Sequence, residues 1–188
     1  MRDEIRSKPD TLLDRCVASY VRAGSLDLSL DQLAKGVGSS KRMLIHYFGS
    51  REAIEEKAMA RLEDRLRAQF SPEVFPVGIS AKAVVAAVWE RTTAPDAKGV
   101  LLLVMDISRR AWNGSNRARI FYDEQQRLWL RLLSKYVPDR PVVEELLQLL
   151  QGAILAYLIT GDPVPGKRAL TRMFEPRRRS RRQARRSR

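Results

Sequence analysis

The chain has one cysteine and one histidine among 188 residues. A single Cys excludes an internal disulfide and leaves no second thiol for redox chemistry. A single His, with no Cys/His cluster anywhere, excludes the common zinc sites and a histidine-based catalytic triad. No metal, no cofactor and no enzymatic activity is therefore expected. An unbroken run of 18 apolar residues is also missing, so no membrane span is expected. The opening residues MRDEIRSKPD lack the apolar stretch of a secretory signal, and with the lone Cys this reads as an intracellular, cytoplasmic protein. Alternating apolar and polar runs, the mark of half-buried strands, are absent too. Helical periodicity dominates throughout, and the fold class expected is all-α.

Acidic residues are in short supply, 22 Asp and Glu against 35 Lys and Arg, for a net charge of +13. The excess is unevenly spread. Residues 177 to 188 hold eight arginines and no acid, whereas residues 1 to 50 hold eight basic and six acidic side chains. The high pI thus reports mainly the C-terminal end. Any case for nucleic-acid binding has to rest on where charges sit within a folded element.

Such an element lies between Ser29 and Ile54, SLDQLAKGVGSSKRMLIHYFGSREAI. Ser29 followed by Gln32 forms a capping box. Leu30, Leu33, Ala34 and Val37 then recur at helical spacing, and Gly38 suits the left-handed residue that ends a helix. Ser39 or Ser40 can cap a second short helix, which turns Leu44 and Phe48 inward. Lys41, Arg42, Ile45 and His46 are left on its outer side. Two short helices about a glycine-containing turn, the second with basic residues near its start, make the helix-turn-helix pattern, whose second helix fits a major groove. Ser50 can cap a third helix here, with Arg51 beside its free amides.

These residues resemble the DNA-binding signature of the tetracycline-repressor-like (TetR) transcriptional regulators. That signature reads roughly I-A-x-x-A-G-V-S-x-G-T-L-Y-x-H/Y-F-x-S-K-E-x-L. Leu33-Ala34, Gly38, Ser40, Leu44, Tyr47-Phe48, Ser50, Arg51-Glu52 and Ile54 fit it without a gap. Ser39 stands where Val is usual, Arg42 for Gly, Met43 for Thr and Ile45 for Tyr. The last three lie on or near the DNA-facing side, so no operator sequence carries over. The close match spans residues 33 to 54, and the remainder is similar only as an all-helical pattern of similar length. The resemblance implies a helix-turn-helix DNA-binding domain over residues 1–54 and a helical regulatory and dimerisation domain over 55–176. A disordered Arg-rich tail is expected over 177–188.

Side-chain chemistry suggests the contact roles. Lys41 and Arg42 can donate to guanine edges, and Ile45 can meet a thymine methyl. Ser29, Ser40, His46, Tyr47 and Arg51 suit phosphates. Ahead of the motif, Asp10 can cap a helix to about Ala23 with Leu13, Cys16, Val17, Tyr20 and Val21 inward. Cys16 reads as a small core residue. Residues 1 to 9 are polar and expected to fray.

After a charged connector helix to about Phe70, Ser71-Pro72 and Phe75-Pro76-Val77-Gly78 break the chain. Five more helices are expected, over about 80–92, 96–112, 116–137, 142–160 and 166–174. Val100 to Met105 is apolar all round, which predicts a buried helix. Helix 142–160 is apolar over half its circumference, wider than one neighbour needs. It is either a central core helix or one that meets a second subunit. The resemblance implies dimerisation here, and a palindrome read by two heads favours it. The interface candidates are Val143, Leu146, Leu147, Leu150, Ile154, Tyr157 and Leu158.

A regulatory pocket would draw on Trp89, Met105, Trp112, Phe121, Tyr122 and Trp129, residues that are equally at home in a plain core. Asp106, inside an apolar helix, needs a partner, either Arg109 or Arg110 one turn on or a cationic ligand. Gly161 to Lys167 imitates a phosphate-binding loop, but follows a helix, lacks the closing Ser/Thr and loses two amide donors to Pro163 and Pro165. It reads as a turn.

The function expected is a dimeric transcriptional repressor. Its partners would be double-stranded operator DNA, a small-molecule effector and a second copy of itself, with no membrane. The alternatives are a nonspecific or architectural DNA-binding protein and a helical ligand-binding module without operator recognition. The arginine tail is either a solvated end or a nonspecific phosphate anchor. If it is an anchor, deleting residues 177 to 188 flattens the salt dependence of DNA binding without altering sequence preference. A salt slope equal to that of the full chain makes the tail a bystander.

Overall fold

The computed structural model describes residues 8–175. The Arg-rich segment 177–188 and most of the expected frayed start lie outside the described residues; Lys8 and Pro9 are already helical. Among the described residues nine α-helices follow one another: α1 Lys8–Ala23, α2 Leu30–Val37, α3 Lys41–Phe48, α4 Arg51–Phe70, α5 Ala81–Thr92, α6 Lys98–Trp112, α7 Asn116–Tyr136, α8 Arg140–Thr160 and α9 Val164–Arg172. Short 3-10 turns at Pro72–Val74 and Pro95–Ala97 lead into α5 and α6. The fold is all-α, with no strand among the described residues.

Serines set most of the helix starts. The hydroxyls of Ser29, Ser40, Ser50, Ser80 and Ser115 accept the amides of Gln32, Met43, Ala53, Ala83 and Ala118 at 3.1–3.3 Å. Each such cap is worth about 1 kcal/mol, enough to fix the register of short helices that would otherwise be marginal. At Ser29 the reciprocal bond is made as well: its amide donates to Gln32 Oε1 at 2.8 Å. The helix over α1 starts earlier than Asp10 would dictate. Asp10 sits in its first turn and pairs with Arg61 of α4 at 3.0 Å.

Helix α1 packs against α2, α4 and α6. Cys16, Val17 and Tyr20 are fully covered there, as are Leu33 of α2 and Leu44 of α3. Burial pushes the Cys16 thiol up to about 11, which leaves it protonated and unreactive, as a core residue should be. Helix α4 buries Ile54, Ala58, Leu62, Leu66 and Phe70, one per turn, so a single stripe runs from α3 to the far side of the molecule. Helix α7 lies against α4, α6 and α8, and α9 closes over α8 and α5. Trp89 of α5 is 1% exposed and donates to the Pro163 carbonyl at 3.2 Å. Its ring presses on Gly166, where an added Cβ would come within 2.4 Å. Gly161 ends α8 in the left-handed region at φ 73°, and Lys167 reaches Glu90 at 3.1 Å. Of the segment imitating a phosphate loop, only Gly161 to Pro163 is the helix-to-helix turn; Val164 to Lys167 already form the start of α9, two residues earlier than the expected helix.

Two expectations need correcting. Of Val100 to Met105, only Leu103 is buried, and Leu102 is 39% exposed. The all-round apolarity of α6 has another cause, a cavity on one side of it, described below. Helix α8 is, among the described residues, long and apolar enough by length and composition to cross a membrane, with a mean hydropathy of 1.6. Its apolar run is interrupted by Glu144, Glu145, Gln148, Gln151 and Gly152, so counting unbroken apolar residues passed it over. One side of α8 is spent on the core of its own chain. The other leaves Leu155 51% and Ile159 76% exposed.

Candidate nucleic-acid interface and ligand cavity

The short helix α3 is held from behind. Leu44 and Phe48 are buried, and its N-terminus is capped by Ser40. Gly38, in the left-handed region at φ 65°, turns the chain between α2 and α3 within three residues. A side chain at that φ would be strained. The outer side of α3 carries Arg42, Met43, Ile45 and His46, all exposed. Tyr47 is half-buried, its ring edge-on to His46 at 5.1 Å. Met43 was not named as a contact, although as a departure from the family signature it was already expected on or near the DNA-facing side.

Not all the cations on this face are unpaired. Lys41 bonds Asp31 of α2 at 2.9 Å, both side chains more than half exposed. An exposed pair of this kind is worth at most about 1 kcal/mol, so a phosphate or base can displace it. Arg51 turns away from α3. It approaches Glu55 at 3.0 Å, and its Nη2 reaches the Leu26 carbonyl at 3.5 Å. Ser29 and Ser40 use their oxygens as caps and keep their hydroxyl protons to donate.

Glu55 leads into a charge network that ties α6 to the loop between α1 and α2. Asp106 of α6, its side chain 10% exposed, accepts the Leu26 amide at 3.0 Å and the Ser25 hydroxyl at 3.1 Å. Arg109 donates to Asp106 at 2.7 Å and to Asp27 at 3.1 Å. Arg110 reaches Asp106 at 3.3 Å, Asp27 at 2.6 Å and Glu55 at 3.0 Å. Burial alone would raise the Asp106 carboxyl. The Leu26 amide, Arg109, the Ser25 hydroxyl and Arg110 together outweigh it and hold the group below the usual carboxylate range. The partners of Asp106 are thus its own neighbours, and no cationic ligand is required. Close packing adds to the clamp. A Cβ on Gly99 would meet the Val21 carbonyl at 2.4 Å, and one on Gly24 would meet Leu102 at 2.8 Å.

The opposite side of α6 faces a cavity of about 550 Å³. Val100, Leu101, Val104 and Met105 line it, with Leu66 and Phe70 from α4. Phe121, Tyr122, Gln125 and Trp129 come from α7, and Gln148, Gln151 and Leu155 from α8. Of the expected pocket residues, Met105, Phe121, Tyr122 and Trp129 are brought together here. Trp89 is not, because it pins α9. Asp106 is not, because it faces the clamp. Trp112, at the end of α6, is 89% exposed and also lies outside. Gln125 was missed. A glutamine in a charged stretch of α7 gives no sequence signal of burial, yet it is only 7% exposed.

The expected dimer residues fall mainly inside one chain. Val143, Leu146, Leu147 and Leu150 are at most 3% exposed and Ile154 is 8% exposed, all covered by the chain's own core. These five cannot form the outer face of α8. Tyr157 and Leu158 are half-buried, and Tyr157 donates to the Thr93 carbonyl at 3.1 Å. The apolar surface left over is that of Leu155 and Ile159.

No protein-family model matches the chain, and no curated protein matches it in sequence. Its structure is similar to a crystal structure from a Rhodococcus species assigned as a TetR-family transcriptional regulator. That likeness has a TM-score of 0.69 at 17% identity and covers 88% of this chain and 95% of the other. The fold is thus the one that the resemblance of residues 33 to 54 implies.

The clamp has a pH signature. The native Asp106 carboxyl titrates below its unfolded value, so its contribution is complete above about pH 5 and is lost as pH falls through the lower native value. Asp106→Asn should cost about 2 kcal/mol at neutral pH, by leaving the paired arginines and the Leu26 amide short of an acceptor. Urea unfolding should show that gap narrowing below about pH 4. A gap constant with pH would mean the charge of Asp106 contributes nothing.

Proposed function

We propose that this chain is a TetR-like, sequence-specific DNA-binding transcriptional regulator. The observation that carries the reading is the pre-capped helix α3. Its inner side is locked by Leu44 and Phe48, while Arg42, Met43, Ile45 and His46 stand free in a row that fits a major groove. Residues 1–54 act as the DNA-reading head and 55–176 as the regulatory and dimerisation body. Lys41 and Arg42 read base edges and Ile45 packs on a thymine methyl. Ser29, Ser40, His46 and Tyr47 position the backbone. Arg51 joins them only by exchanging Glu55 for a phosphate.

A helix of two turns spans only a few base pairs, so affinity and specificity call for two heads. A homodimer on a palindrome supplies them, and Ile159 of α8, with Leu155 at the rim of the cavity, is the exposed apolar surface a second copy would cover. The chain acts in the cytoplasm as a repressor. A small-molecule effector in the cavity weakens operator binding, because α4 and α6 each touch both the cavity and the head. An effector that binds the two arrangements of α6 unequally shifts the head through the Asp106 clamp.

Genome-fragment selection with the purified chain at physiological salt tests the reading. A short palindrome recovered by wild type, and a changed base preference at one position in each half-site for Arg42→Ala, are expected. The loss at that position should be about tenfold to a hundredfold. Recovery without sequence preference would point to nonspecific binding instead, and an unaltered preference in the variant would remove Arg42 from base reading.

A further inference from the structure

The cavity lies between α4, α6, α7 and α8, and its polarity is peculiar. At about 550 Å³ it has the size of a site for a drug-sized molecule. Arg91 and Asp96, at one end, are the charged residues among those lining it. Arg91 is already engaged: it donates to the Gln69 carbonyl at 3.1 Å and its guanidinium lies 4.7 Å from the centre of the Phe75 ring. The hydroxyls are engaged too. Thr92 donates to the Val88 carbonyl at 2.7 Å and Ser108 to the Val104 carbonyl at 2.9 Å. Much of the remaining wall is apolar or aromatic, with Trp129 packed on Phe70 at 4.9 Å.

Gln69, Gln126, Gln148 and Gln151 also reach the wall, and among its buried side-chain atoms one is unsatisfied. Gln125 is 7% exposed, lines the cavity, and its Nε2 has no hydrogen-bond partner. A buried amide donor left unpaired costs stability, and natural interiors rarely keep one without a reason. The last torsion of a glutamine side chain is soft, so the carboxamide can turn its NH2 toward the cavity. An anionic ligand would have to shed its water into a wall whose cation, Arg91, is already committed, and a cationic one would find only Asp96, which is exposed and screened by water, so both are disfavoured.

We propose that the cavity takes an uncharged, mainly apolar ring compound with a carbonyl oxygen, which Gln125 holds by donating from Nε2. The inference rests on the reading of this cavity as the effector site and narrows it to one ligand chemistry. The aromatic wall supplies most of the contact area, and Gln125 selects for the acceptor. A site that hydrogen-bonds its ligand in this way rejects analogues that lack the group.

The probe is prodan, an uncharged naphthyl ketone dye, titrated into the full chain, with naphthoate as an anionic competitor of related shape. Saturable, blue-shifted emission that naphthoate fails to displace is expected. Gln125→Leu should weaken prodan about tenfold, the loss of one hydrogen bond, and at the same time raise the Tm of the ligand-free chain by removing the unpaired amide. Gln125→Met repeats the test with a side chain of nearly the same length. Gly152→Phe blocks the cavity from α8, where an added Cβ meets nothing within 4 Å, and should abolish dye binding. The ligand class is overturned if prodan shows no saturable binding, if naphthoate binds as tightly, or if dye binding survives Gly152→Phe. It is overturned equally if Gln125→Leu lowers Tm and leaves dye affinity unchanged. Selection of DNA fragments by the same preparations separates the two failures. A chain that still recovers a palindrome keeps its regulatory role and loses only the ligand class.

Discussion

One carboxylate ties α6 to the loop between α1 and α2. Asp106 gathers the Leu26 amide, the Ser25 hydroxyl, Arg109 and Arg110 around two oxygens, and through the arginines reaches Asp27 and Glu55. A 10% exposed charge is tolerated only because every direction of approach meets a donor. A displacement of α6 away from the α1–α2 loop would cost the Leu26 and Ser25 hydrogen bonds together, so the carboxylate resists it. The close approach of Gly99 to the Val21 carbonyl works in the same direction, since it leaves no slack between α6 and the end of α1.

That constraint explains why α6 is so apolar without being buried. Leu103 and Ile107 serve the core, Val100, Leu101, Val104 and Met105 line the cavity, and the Asp106, Arg109, Arg110 edge grips the α1–α2 loop. Three tasks occupy three sides of one helix of 15 residues. Helix α4 does the same over its length, with Ile54 and Glu55 at the reading end and Leu66 and Phe70 at the cavity. Neither helix belongs to one half alone.

What the sequence revealed was local. The capping serines, the left-handed Gly38 and the inward Leu44 and Phe48 are decided by a few neighbouring residues, and each was legible from them. The end of α4 at Phe70 and the end of α8 at Thr160 were equally clear. Burial direction was less so. A helix apolar over half its circumference, like α8, does not announce which half meets its own core, and the residues named for an interface proved to be mostly the inner ones. Trp89 and Trp112 look alike in sequence. One is pinned under α9 by Gly166 and the other stands in solvent, a difference set by partners more than fifty residues away. Gln125 became visible only when the cavity did.

The most direct test of the coupling is the hydrogen exchange rate of the Leu26 amide, which donates to Asp106 across the gap between head and body. It should be measured by NMR on the full chain, with and without a ligand that fills the cavity. If α6 transmits occupancy, exchange at Leu26 changes several-fold along with the amides of α6. If protection changes in α7 and α8 while Leu26 keeps its rate, the cavity and the reading helix are not linked through this carboxylate, and the account of regulation fails.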